Sequence, residues 1–158
     1  MSAPPRASLP RRLALAPALL AACALASAAP PTGHLDATGP VLGDWTFAPD
    51  TCRSGQRRDF LGVSLTAQAH PGLRVDIVDD PLEGLAVAVH QDNRCDDRVA
   101  CPPITLRAST CTAVDGEVVR DLHRLTNNIF HMDGWLTINC GIEGGGRLEG
   151  ELSFSDCH

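Results

Sequence analysis

The chain has 158 residues and a formal charge of −6, with 13 basic against 19 acidic side chains, which makes nucleic acid a poor partner. Every basic residue is arginine, a bias given no functional weight. Beyond a short N-terminal region the length suits one domain with a single core.

Arg6, Arg11 and Arg12 precede an apolar run from Leu13 to about Leu25, with no acid before it and small residues after it, the order of a secretory signal. The run is shorter than the roughly 20 residues of a transmembrane helix, and Pro17 interrupts it. No later segment comes closer. Leu20-Ala21-Ala22-Cys23 stands directly behind it. This tetrapeptide resembles the lipobox of bacterial lipoproteins. The resemblance implies a lipoprotein signal peptide over 1–22, diacylglyceryl transfer to the Cys23 thiol and cleavage just before it, with the mature protein anchored in a membrane of the bacterial cell envelope. Ala24 in place of Asp implies, by the same resemblance, the outer membrane. Ala26-Ser27-Ala28 also fits ordinary signal cleavage, which would release a soluble periplasmic or extracellular protein starting near Ala29.

Residues 23–40 are small, contain Pro and Gly and lack apolar periodicity, so they are expected to be a flexible tether ahead of one domain over 41–158. Six cysteines remain there: Cys52, Cys95, Cys101, Cys111, Cys140 and Cys157. In an exported domain they are expected to form disulfides, a set of three bridges with 15 formal pairings. Zinc is the weaker reading, because no Cys-x-x-Cys occurs. Cys95 with Cys101 would close a short loop, and Cys52 with Cys157 would tie the ends of the domain together.

Trp45 and Phe47 open a series of runs with a period of two. Leu61, Val63, Leu65 and Ala67 share a face. So do Leu73, Val75 and Ile77, then Leu85, Val87 and Val89, then Ile104, Leu106 and Ala108. Leu136, Ile138 and Cys140 follow, and Leu148, Gly150, Leu152 and Phe154 alternate with Arg147, Glu149, Glu151 and Ser153. Turn signals lie between the runs: His70-Pro71-Gly72, Asp80-Pro81, Asp115-Gly116, Asp133-Gly134 and Gly144-Gly145-Gly146. Asp115-Gly116 is read as a two-residue hairpin turn. Around 117–129 the spacing of Val118, Leu122, Leu125 and Ile129 is helical, yet the all-β context favours a strand, with one short helix as the competing reading. The expected fold is all-β, a disulfide-stabilised antiparallel sandwich or small barrel.

Few residues suggest chemistry. Arg53, Arg57 and Arg58 cluster in an acidic domain and could take phosphate or carboxylate, or pair with Asp50 or Asp59. Asp92, Asn93, Asp96 and Asp97 are oxygen donors of the kind calcium prefers, without the spacing of a calcium loop. Trp135, opposite in phase to Leu136 and Ile138, is the better candidate for an exposed aromatic platform, with core burial as the alternative. The six histidines are scattered, and His131-Met132-Asp133 is read as a loop before a turn. No nucleophile elbow, P-loop or dinucleotide fingerprint occurs. The resulting expectation is a non-enzymatic envelope lipoprotein without a cofactor, binding a protein or envelope component. An inhibitor or immunity-type lipoprotein and a hydrolase with a dispersed site are the alternatives.

Overall fold

The computed structural model describes residues 29–92 and 102–158. Ten strands form two antiparallel sheets of five. β1 (Thr32–Thr38), β2 (Trp45–Phe47), β8 (Ala113–Thr126), β9 (Ile129–Gly141) and β10 (Arg147–Cys157) make the first, in the order β2-β1-β10-β9-β8. The second is a meander of β3 (Thr51–Ser54), β4 (Gly62–Thr66), β5 (Leu73–Asp80), β6 (Gly84–Gln91) and β7 (Ile104–Arg107). No helix among the described residues is long and apolar enough to cross a membrane.

The period-two runs become the two inner faces. Val63, Leu65, Val75, Ile77, Val87 and Val89 from one sheet meet Leu35, Phe47, Leu136, Ile138, Leu148 and Leu152 from the other, all 2 % exposed or less. This is the sandwich the alternation implied. Two bridges among the described residues reinforce it: Cys52 of β3 with Cys157 of β10, the pairing expected, which joins the two sheets, and Cys111 with Cys140. Cys95 and Cys101 lie outside the described residues.

Four expectations are corrected. Thr32–Thr38 is a strand, paired with β10 on one side and β2 on the other, so the tether reading of 23–40 fails over these residues. Leu35 and Ala37 carry its inward face, a signal too short to stand out between Gly33 and Gly39. Asp115-Gly116 and Asp133-Gly134 are not turns; both lie inside long strands. A Cβ on Gly116 would stand 2.4 Å from the Trp135 carbonyl oxygen, and one on Gly134 2.1 Å from that of Glu117. These glycines serve the close approach of β8 and β9. The hairpin turn is Asn127-Asn128, with φ of 52° and 64°, the doubly left-handed geometry of a type I′ turn. His131 accordingly lies within β9 and is buried, not in a loop. Residues 117–129 take the strand reading up to that turn, and no helix forms there.

Candidate functional site

β8 is an edge strand of 14 residues and forms a long hairpin with β9, whose Phe130 N–H beside the turn donates to Gln56 Oε1 at 2.8 Å. Its register on β9 breaks between Asp121 and Leu125, leaving Leu122, His123 and Arg124 in a bulge. The His123 N–H donates to the Asp121 carboxylate at 2.9 Å, which closes the bulge with a side chain. On this strand Val119, Leu122 and Leu125 are 45, 59 and 52 % exposed. Three of the six exposed large apolar side chains among the described residues thus sit on one hairpin arm.

Beside the hairpin turn the chain assembles a polar cluster. β10 bulges between Phe154 and Cys157, and Asp156 adopts φ 60° there. The Asp156 N–H donates to Asp133 Oδ1 at 2.6 Å, and Cys157 is fixed by its bridge to Cys52. Asp156 and His158 are thereby brought to His131 of β9, 7 % exposed. His131 Nδ1 bonds the Asp156 carboxylate, and its Nε2 lies 2.7 Å from Thr126 Oγ1. Arg124 reaches the same carboxylate oxygen at 2.5 Å. The rings of His131 and His158 stack with centroids 4.5 Å apart, and His158 Nδ1 donates to the Asp156 carbonyl at 2.9 Å. Burial alone would raise the Asp156 pKa. The hydrogen bond from His131 and the nearby charges of Arg124, His131 and His158 outweigh it and hold the carboxyl below its ordinary value.

Thr126, His131 and Asp156 stand in the order of a nucleophile, a base and its orienting carboxylate. Catalysis would also need a substrate beside Thr126, and the described clefts lie elsewhere. One, of about 700 Å³, is lined by Val41, Ile104, Leu106 and Ile142. Another, of about 250 Å³, lies between Gly33, Trp135, Glu151 and Ser153.

A second polar group occupies the outer face of the other sheet. Asp76, 5 % exposed, accepts from Ser64 Oγ at 2.6 Å, Arg74 Nε at 3.1 Å and His90 Nε2 at 2.9 Å. Here Ser64 bonds the carboxylate and not the histidine, so this is not a nucleophile–base pair.

The residues singled out in the sequence lie apart from the His131 cluster. Trp135 is 41 % exposed on the outer face of β9, opposite Glu117 and Ser153. Arg53 on β3 and Arg57 and Arg58 in the 3-10 turn after it are exposed, and no ion pair among the described residues involves them. The pairing with Asp50 considered for them is not formed; Asp50 accepts from Thr51 Oγ1 and the Gln68 N–H. Asp92 is exposed at the end of β6, and Asn93, Asp96 and Asp97 lie outside the described residues. The signal that would have marked the cluster is Asp156 and His158 on either side of Cys157, since a bridged cysteine holds its neighbours in place. Comparison with protein-family models, curated proteins and solved structures finds no match to this chain.

Proposed function

We propose that the chain is an envelope lipoprotein, acylated at Cys23, whose sandwich is a non-enzymatic binding module that meets a protein or envelope component through the β8–β9 hairpin. The observation that carries this reading is the three exposed apolar side chains, Val119, Leu122 and Leu125, on one edge strand. An edge strand offers unpaired backbone groups to a partner, and natural proteins usually blunt such edges with charge or proline. β8 carries such charges at Asp115, Glu117, Arg120 and Arg124 and a bulge besides, yet it also leaves two leucines outside. Those two side chains carry apolar surface whose removal from water is worth about 25 cal/mol per Å².

The test is site-specific photocrosslinking in the native envelope, with the photoreactive residue at position 122 or 125 and, as control, at 82, where Leu82 is 93 % exposed on a different turn. A discrete adduct from the hairpin positions that is lost in Leu122→Asp, with none from position 82, is expected. Equal labelling from all three positions, or none from the hairpin, overturns the reading. An adduct with a lytic enzyme, coupled to loss of that enzyme's activity, would assign the module to the inhibitor class.

A further inference from the structure

We propose that His131, Asp156 and His158 form a three-ligand site for a divalent transition-metal ion of the zinc class. This site shares the turn end of the hairpin with Leu122 and Leu125, but the proposal does not depend on the binding reading above. One donor atom from each residue lies within 4.8 Å of the others. Two imidazoles and a carboxylate form a donor set for zinc, copper, nickel or iron and a poor one for calcium, which takes six to eight oxygens.

The two rings stack in the metal-free protein, so the partly exposed His158 ring must tilt about its side-chain bonds for both lone pairs to meet one ion. The hydrogen bonds around the imidazoles already select the tautomers that coordination needs. A backbone carbonyl only accepts, so the contact from His158 Nδ1 to the Asp156 carbonyl places that ring's proton on Nδ1 and leaves the Nε2 lone pair for a metal. Thr126 Oγ1 lies 2.7 Å from His131 Nε2. When the hydroxyl accepts from Nε2–H, the lone pair falls on Nδ1, the nitrogen that faces Asp156. A ligating histidine typically gives its other N–H to such an oxygen. In the metal-free protein a proton lies between Nδ1 and the carboxylate. The ion takes that proton's place, and the proton leaves to solvent.

The backbone holds the set in position. The β10 bulge, the Asp133 carboxylate on the Asp156 N–H and the Cys52–Cys157 bridge fix Asp156 and His158 from three sides. His131 is buried while Asp156 and His158 are partly exposed, so an ion enters from the solvent side and keeps at least one position for water. Arg124 now supplies the positive charge at Asp156. Its side chain is 49 % exposed and stands in the β8 bulge, free to swing out when a metal replaces it.

The untagged full chain, with its disulfides formed, is to be titrated with Zn²⁺ against a chromophoric chelator, and with Cu²⁺ followed by electron paramagnetic resonance. One equivalent of Zn²⁺ should bind, and the Cu²⁺ spectrum should show coupling to two nitrogens. His158→Ala, at a partly exposed position that leaves the core intact, should reduce the coupling to one nitrogen and weaken Zn²⁺ at least about tenfold. Thr126→Val should weaken it about tenfold, the lower bound for losing such a supporting bond. Arg124→Ala should tighten it. Absence of a saturable one-equivalent site, or a site that His158→Ala and Thr126→Val leave unchanged, overturns the assignment.

Discussion

Asp76 shows how a single residue on a strand's outer face can organise its neighbours. Arg74 Nη2, which only donates, lies 2.9 Å from His90 Nδ1, so Nδ1 must accept and the ring proton sits on Nε2, directed at Asp76. A second proton on this ring would face the guanidinium. Burial is the larger cause holding the His90 pKa below its ordinary 6.5, and the charges of Arg74 and Arg58 act in the same direction, against the attraction of Asp76. A histidine with a depressed native pKa is protonated first in the unfolded chain. Its contribution to stability is therefore complete above about pH 6.5 and declines as pH falls from there toward the native pKa. Urea unfolding at a series of pH values between 5 and 8 should show this decline, and His90→Gln should flatten it. A His90 ring resonance titrating above 6.5 would refute the tautomer assigned here. Neither this group nor the His131 cluster is legible as spacing in the sequence. Ser64, Asp76 and His90 come together only through the register of β4, β5 and β6, and His131 meets Asp156 only through a bulge.

At the scale of elements, the hairpin depends on two consecutive left-handed residues. Asn tolerates this conformation, whereas a β-branched residue meets the full steric cost of roughly 1–2 kcal/mol. Asn127→Val should therefore destabilise the domain by about that amount and speed amide exchange in Thr126 and Ile129, whereas Asn128→Gly should leave stability equal or slightly higher. Thermal unfolding and hydrogen exchange on the two variants measure this directly. The sequence made the strands readable because half-buried strands impose a period of two, and Val63-Ser64-Leu65 or Leu148-Glu149-Gly150 display it plainly. It misplaced two of the turns because Asp-Gly looks the same whether the glycine supplies a positive φ or makes room for a neighbouring backbone. Only the pairing partner distinguishes the two uses, and for Gly116 and Gly134 that partner is a strand on the far side of the real turn.

For the molecule as a whole, the bridge between Cys52 and Cys157 links residues 105 apart and joins the two sheets near one end of the sandwich. Joining distant segments restricts the unfolded chain, a stabilisation typically of about 2–5 kcal/mol when such a bridge is native to a secreted domain. The double variant Cys52→Ala, Cys157→Ala should lower the unfolding free energy by that amount in chemical denaturation. It should also abolish one-equivalent Zn²⁺ binding in buffer where circular dichroism shows that the fold persists, since Asp156 and His158 lose their shared pin.

The recruitment of Thr32–Thr38 into the first sheet also sets a geometry of reach. Nine peptide steps separate Cys23 from Thr32, a span of at most about 32 Å however they are arranged. Thr32 is level with Ser153 and, across it, Trp135, so the chain ahead of Thr32 leaves the sheet on the side toward which β9 runs back to the Asn127-Asn128 turn. The hairpin extends about seven residues past that level, or roughly 23 Å at 3.3 Å per residue. With a lipid at Cys23, the chain would enter the sheet on the side where the hairpin turn lies. The leucine-bearing tip would then lie within about 55 Å of the acylated cysteine, a reach that bounds how far from the bilayer its ligand could be met.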